Sequence, residues 1–324
     1  MKNLLLTGAS GFIGSHILER LKKEFEDKYD VYCLERYITG RLPRTKTDYA
    51  DLQDYFAVKN AVRKIQPEVV IHVAAQARVA YSYDQPQDYT MSNYIGTINL
   101  AEACLREVPH FKHFLFASTS ETYGNLPKEH IPHTENAPQF PNSPYAVSKL
   151  ACEKYLNYMG DAYQFPYTIL RPFNTYGRKT DCFYITEKII VQMLNPMTTE
   201  VRLGEPKPVR DMLYVYDHAN AYITCMEKPN RSIRNVFNFC TGRGVTMEEL
   251  ANKIASMVDY KGDITWHTMP VRPLDIDVLL GDNNKARLIL DWIPKYNLEK
   301  GLQETIEFWE KKTSGVMVDD KKPQ

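Results

Sequence analysis

The sequence predicts an α/β protein built on a doubly wound parallel sheet, with a smaller C-terminal domain interleaved into it. Two observations lead there. Short apolar runs alternate with longer stretches of helical period, the pattern of repeated strand–helix–strand units. A turn carrying Gly8, Gly11 and Gly14 joins the first apolar run to the first helix.

Runs at 4–6, 31–34, 69–73, 114–117 and 167–170 are short and apolar, as strands covered on both faces must be. Helices are predicted between them over 13–23, 54–65, 95–107 and 145–163. Asp54 is placed to cap the second, and Pro67 follows its end near Gln66. Beyond Pro172 the pattern loosens. A helix at 187–194 precedes an irregular stretch, rich in proline and charge, that runs to Arg210. A helix at 218–227 and a strand at 236–240 then return to the sheet. Thr246 opens a helix to about Met257 through a capping box with Glu249. No Gly/Ser-rich linker divides the halves, and the tail is polar.

The 324 residues suffice for one large or two closely packed domains. Forty basic and forty acidic residues leave a formal net charge of zero, with no basic patch for nucleic acid or an acidic membrane surface. Cys33, Cys104, Cys152, Cys182, Cys225 and Cys240 form no CxxC pair, so free thiols in a reducing compartment are expected. The chain enters its first strand without a leader-like segment, and no apolar run approaches the ~18 residues of a membrane span. A cytoplasmic protein is expected. His130 and His133, beside Glu129 and Glu135, lie in a proline-punctuated loop and are read as solvent-loop residues; no metal is expected.

The glycine turn carries the first chemistry. Small residues at Gly8, Ser10, Gly11 and Gly14, followed by Phe12 and Ile13, let the backbone approach a pyrophosphate at the start of a helix, whose N–H groups are unpaired. The strand–turn–helix context is that of a Rossmann-type dinucleotide site. Glu35, about 20 residues on at the end of the second strand, suits both ribose hydroxyls and favours NAD. Arg36, with Arg41 and Arg44, would instead suit the 2′-phosphate of NADP. Asp51 and Leu52 are placed for the adenine edge, and Ala74, Ala75 and Gln76 end the fourth strand beside the cofactor.

Tyr145 and Lys149, four residues apart, share one helix face. An ordinary tyrosine is a poor base at neutral pH; a nearby ammonium and an oxidised nicotinamide both favour its phenolate, which can then take a proton from a sugar hydroxyl. Thr119, just past a strand, can bond the same oxygen.

These motifs make the chain resemble the nucleotide-sugar epimerases and dehydratases of the extended short-chain dehydrogenase/reductase family, from Thr7-Gly8 to about Trp309. Further matching segments are His72-Val73-Ala74-Ala75-Gln76, Asn93 with Gly96-Thr97, Arg171-Pro172-Phe173-Asn174, Arg210-Asp211 and Arg272-Pro273. The resemblance implies a dinucleotide-binding domain of 1–174 plus about 215–241. A nucleotide-sugar-binding domain would comprise about 175–214 and 242–313, with a tail at 314–324. It brings Asn93 to the cofactor and Asn174, Arg210 and Arg272 to the nucleotide diphosphate, where guanidinium groups suit phosphate oxygens. Arg78 is placed to face the sugar. A homodimer through the helices at 95–107 and 145–163 is implied as well.

Within the family Glu121 is the discriminating residue. A 4-epimerase oxidises and re-reduces C4 and has no use for a carboxylate there. A 4,6-dehydratase must also remove the C5 proton and expel the 6-hydroxyl. Ser118-Thr119-Ser120-Glu121 followed by Tyr123-Gly124 resembles the GDP-mannose 4,6-dehydratases, with Ser120 able to assist the leaving hydroxyl. The segment Thr175-Tyr176-Gly177-Arg178 departs from that branch. A C4-epimerase and a UDP-glucuronate decarboxylase, whose family also carries a similar Ser-Thr-Ser-Glu segment, are the alternatives.

Overall fold

The computed structural model describes residues 1–313 except 39, 41, 43–44, 178–180 and 270–272. Seven parallel strands form the main sheet: Lys2–Thr7 (β1), Tyr29–Glu35 (β2), Lys46–Tyr49 (β3), Val69–His72 (β4), His113–Ala117 (β5), Tyr167–Pro172 (β6) and, later in the chain, Asn235–Phe239 (β10). Their spatial order is β10-β6-β5-β4-β1-β2-β3. Chain order therefore reverses between β1 and β4, where connections leave to opposite sides and a crevice opens at the strands' carboxyl ends.

Both faces are covered, which explains the continuous apolar runs. Leu4, Leu6 and Ile71 pack with Ile17 and Leu21 of the helix Phe12–Glu24 (α1), and with Ala219 and Tyr222 of Val215–Glu227 (α8). Leu5, Val70, Phe114 and Phe116 face Tyr55–Ile65 (α2), Gly96–Glu107 (α5) and Pro144–Tyr163 (α6). Asp54 caps α2 by accepting the N–H groups of Phe56 and Ala57 at 3.0 and 3.1 Å. Ser143 caps α6 through the N–H of Ala146, with Pro144 in its first turn. The short helices Val79–Asp84 (α3) and Pro86–Tyr89 (α4) lead into a π-helical turn at Thr90–Ile95, which continues as α5.

A smaller unit sits above the carboxyl ends. Val209–Tyr214 (β9) pairs in parallel with Asn174–Tyr176 (β7) and Val278–Leu279 (β13), and antiparallel with Gly244–Thr246 (β11). Glu200–Arg202 (β8) pairs with Asp263–Thr265 (β12). Its core joins Ile189 and Ile190 of Ile185–Leu194 (α7), Leu250 and Ile254 of Met247–Met257 (α10), and Leu302 and Ile306 of Leu298–Thr313 (α12). The capping box of α10 is formed, Thr246 and Glu249 exchanging bonds of 2.8 and 3.0 Å. The remaining helices, Pro229–Ser232 (α9) and Asn284–Leu290 (α11), flank β10.

Several details differ from the sequence reading. The stretch taken as irregular up to Arg210 contains β8 and the start of β9. The helix expected from 218 begins at Val215, directly out of β9. β11, β12 and β13, two or three residues each, are too short to show an alternation. α12 was not anticipated, although Leu302, Thr305, Ile306 and Trp309 form its buried stripe.

Candidate active site

A groove of about 620 Å³ follows the crevice between β1 and β4. Gly8, Ser10, Gly11, Phe12, Ile13, Gly14, Glu35, Arg36, Asp51, Leu52, Ala74, Ala75, Gln76 and Arg78 line it. Two of the glycines are required sterically. Gly8 has φ +71°, and a Cβ there would lie 2.8 Å from the Cα of Ala74; a Cβ on Gly14 would lie 2.0 Å from the carbonyl oxygen of Gly8. The turn thus nests between β1, β4 and α1. Gly11 caps α1 with no side-chain bond to its first turn, so the N–H groups of that turn suit an anion. Glu35 is buried and accepts from the N–H of Ser10 at 3.1 Å and from its hydroxyl at 2.6 Å, tying the turn to the end of β2. Arg36 stacks on Tyr37, 4.5 Å from the ring centre; Arg41 and Arg44 lie outside the described residues.

A buried polar chain braces the groove floor. Thr97 donates its only hydroxyl proton to the carbonyl of Asn93 at 2.5 Å, so the contact with His72 Nε2 at 3.0 Å is an N–H donated by the imidazole. His72 Nδ1 then accepts the hydroxyl of Thr7 at 2.7 Å, and the oxygen of Thr7 accepts the N–H of Ala74 at 3.2 Å. The ring is held neutral: burial, with Lys149 adding to it, pulls His72 down to about 3. The structure places Asn93 against protein. Its side chain exchanges bonds with the N–H and carbonyl of Gln76, at 2.8 and 3.0 Å, and donates to Ser148 at 3.0 Å. Ser148 in turn donates to the carbonyl of Tyr145 at 2.7 Å. Asn93 therefore locks the groove-lining Gln76 to the helix that carries Tyr145.

Tyr145 and Lys149 occupy the first turns of α6; Thr119, Ser120 and Glu121 form the tight turn that follows β5, all buried. Thr119 accepts the N–H of Glu121 at 3.2 Å and bonds the phenol of Tyr145. Burial above all, then the charges of Tyr184 and Glu121, push that phenol above the ordinary tyrosine range; the bond from Thr119 opposes them. Lys149 donates to the carbonyl of Ala117 at 2.7 Å, and burial lowers its ammonium to about 8.

Beneath this turn lies an ion pair that the sequence reading did not assign. Arg171 of β6 grips Glu153 of α6 through bonds of 2.9 and 2.6 Å, and Ser118 donates to the same carboxylate. Arg171 also reaches the hydroxyl of Tyr123 at 2.9 Å. Glu153 follows Lys149 by one helical turn, yet nothing in its neighbours marks it as buried.

On the side of the smaller unit, Asn174 begins β7 with a buried Oδ1 that has no protein partner. Arg210 is anchored to the segment 275–276, donating to the carbonyl of Ile276 at 2.7 Å and pairing with Asp275 at 3.2 Å. Arg78 lies 3.3 Å from the ring centre of Phe183, and Arg272 falls outside the described residues. Tyrosines not singled out from the sequence also line the groove, among them Tyr81, Tyr89, whose ring stands edge-on to Tyr145 at 6.3 Å, and Tyr184, at the start of α7. His133 and Glu135 bond protein groups, the carbonyl of His130 and the N–H of Asn238.

The family model for GDP-mannose 4,6 dehydratase matches residues 5–305. A UDP-glucose 4-epimerase of Mycolicibacterium smegmatis is 31% identical over 95% of this chain and 99% of its own length. Among solved structures, the UDP-glucose 4-epimerase of Thermotoga maritima, determined with UDP-glucose, superposes with a TM-score of 0.88 at 32% identity, covering 96% of this chain and 99% of that one. A dTDP-glucose 4,6-dehydratase of Bacillus anthracis in complex with NAD superposes with a TM-score of 0.84 at 25% identity, covering 97% and 98%. The chain belongs to the nucleotide-sugar epimerases and dehydratases of the extended short-chain dehydrogenase/reductase family.

Proposed function

We propose that this enzyme is an NAD-dependent nucleotide-sugar 4,6-dehydratase, with GDP-mannose the first substrate to try. The observation that carries the reading is Glu121, a buried carboxylate whose charge is felt by the catalytic phenol. Epimerisation at C4 gives such a group nothing to do, whereas water loss requires a base at C5.

The cradle fits the dinucleotide: a glycine turn closed against β4, a helix start without a side-chain cap, and an acidic strand end. NAD supplies a hydride acceptor at C4 and a donor at C6. Tyr145 takes the proton from O4, with Thr119 and Lys149 orienting it. Glu121 takes the C5 proton, made acidic by the C4 ketone, and Ser120 lies beside the leaving oxygen. Asn174, Arg210 and Arg272 hold the nucleotide diphosphate, and Arg78 the sugar. Glu35 favours NAD because a carboxylate repels a 2′-phosphate. Pairing of two subunits through α5 and α6 is supported by the exposed Val147, Tyr158 and Tyr163 of α6.

A C4-epimerase is the second reading, favoured by the 31% identity to a UDP-glucose 4-epimerase. Mass spectrometry of GDP-mannose, UDP-N-acetylglucosamine, dTDP-glucose and UDP-glucuronate, incubated with the protein and no reductant, separates the cases. Loss of water from one sugar is the expected result. An isomer of unchanged mass makes the enzyme an epimerase, and loss of carbon dioxide makes it a decarboxylase.

A further inference from the structure

Three successive residues at the end of β5 are each bonded to α6. The carbonyl of Ala117 accepts from Lys149 at 2.7 Å, the hydroxyl of Ser118 donates to Glu153, and the hydroxyl of Thr119 bonds the phenol of Tyr145. Tyr145, Lys149 and Glu153 follow one another at intervals of four residues, so they share one face of the helix, and all three are buried. Lys149 and Thr119 already have a part in the chemistry. The bond between Ser118 and Glu153 does not.

Glu153 is a fixed anchor. Arg171 donates to both of its oxygens, at 2.9 and 2.6 Å, and Gln139 donates to Oε2 at 3.1 Å. Ser118 carries that anchorage to the strand end. Its N–H donates to the carbonyl of Leu170 in β6 at 2.8 Å, while its hydroxyl proton goes to Oε1 of Glu153. Backbone and side chain of Ser118 are thus both tied, and Thr119 is the next residue in the chain. The oxygen of Thr119 accepts the N–H of Glu121 at 3.2 Å, which leaves its single proton for Tyr145. A phenolate is stabilised by such a donor only while the hydroxyl points at it.

We propose that Ser118 is a positioning residue for proton transfer at O4: its bond to Glu153 holds Thr119 where the hydroxyl donates to the Tyr145 phenolate. This rests on the reading of Tyr145 as the group that takes the O4 proton. It applies to a dehydratase and to a 4-epimerase alike, since both oxidise C4. In that step the O4 proton passes to Tyr145, the C4 hydrogen leaves as hydride to NAD, and the C4–O bond becomes a carbonyl. Burial holds the phenol above the ordinary tyrosine range and the bond from Thr119 opposes it. Loosening Thr119 therefore makes the phenol hold its proton more tightly.

The test follows reduction of bound NAD, by absorbance in single turnovers, on the nucleotide sugar that the wild type converts. Ser118→Ala removes one bond and leaves Glu153 paired with Arg171 and Gln139, so the buried ion pair that supports the fold is kept. Reduction is expected to fall about tenfold, the half-saturating sugar concentration staying the same. The ascending limb of its pH profile should move to higher pH. In a Thr119→Val background, where no hydroxyl is left to position, Ser118→Ala should cost nothing further. An unchanged rate overturns the proposal, as does a fall in rate with the limb unmoved. Equal losses in both backgrounds also overturn it, because they mark a packing effect that does not act through Thr119. Tyr145→Phe is measured first and by itself: reduction at the wild-type rate there overturns the reading of Tyr145, whatever Ser118 does.

Discussion

Thr119 bonds the phenol of Tyr145 while its oxygen accepts the backbone N–H of Glu121. One hydroxyl therefore stands between the group proposed for O4 and the carboxylate proposed for C5. Glu121→Gln keeps the shape of the turn and removes the base. It should lower water release by ~10²–10⁴-fold while leaving reduction of the bound cofactor by substrate intact. Stopped-flow absorbance together with product mass spectrometry checks this; equal loss of both steps would remove Glu121 from the chemistry.

Asn93 ties Gln76 to α6 and is buried. Asn93→Ala would leave the N–H and carbonyl of Gln76 without partners, at a cost of about 1–3 kcal/mol. Weaker NAD binding and a lower thermal midpoint should appear together. Isothermal titration and differential scanning calorimetry on the same preparation decide the matter, since a purely cofactor-contacting asparagine would change only the first.

Glu153 and Arg171 are buried as a pair, so removing one partner leaves the other's charge uncompensated. Glu153→Gln should destabilise the fold by roughly 3–5 kcal/mol. Because Ser118 also bonds Glu153, the turn bearing Thr119 and Glu121 should loosen in parallel. Urea unfolding and amide exchange at 118–123 report the two effects separately.

Specificity for NAD is proposed to lie in Glu35. Replacing it with alanine removes both bonds to Ser10 as well as the charge that repels a 2′-phosphate. The ratio of NAD to NADP affinity should fall about tenfold or more, NAD itself binding less tightly. An unchanged ratio by fluorescence titration would move the discrimination to Arg36 or to the loop beyond it.

His72, His113 and His218 are each held neutral by burial, pulled down to about 3. The unfolded chain protonates them near ~6.5 and the folded chain does not. Their folded state is fully favoured above that value and loses ground as the pH falls toward 3, by roughly 1.4 kcal/mol per pH unit for each histidine. Urea midpoints measured between pH 7 and pH 4 should therefore drop steeply. His113→Asn should reduce the slope by about one proton; an unchanged slope would mean that His113 titrates in the fold.

The glycine turn, the short apolar strands and the pairing of Tyr145 with Lys149 were legible in the sequence because each is a local rule: a backbone that must close tightly, a strand buried on both faces, two side chains one turn apart. Other features depend on residues far apart in the chain. Glu153 looks like any helical glutamate until β6 brings Arg171 beneath it, and Tyr184 belongs to the groove because α10, α12 and β8 hold the α7 it opens. Asn93, drawn to the cofactor by its motif, is turned toward Gln76 and Ser148 by packing of the π-helical turn against α6. Local spacing determined the glycine turn and the placing of Tyr145 and Lys149 on one helix face; only the tertiary structure decided which polar groups are buried together, because burial, and with it charge pairing and proton affinity, is set by contacts that no short window of sequence contains.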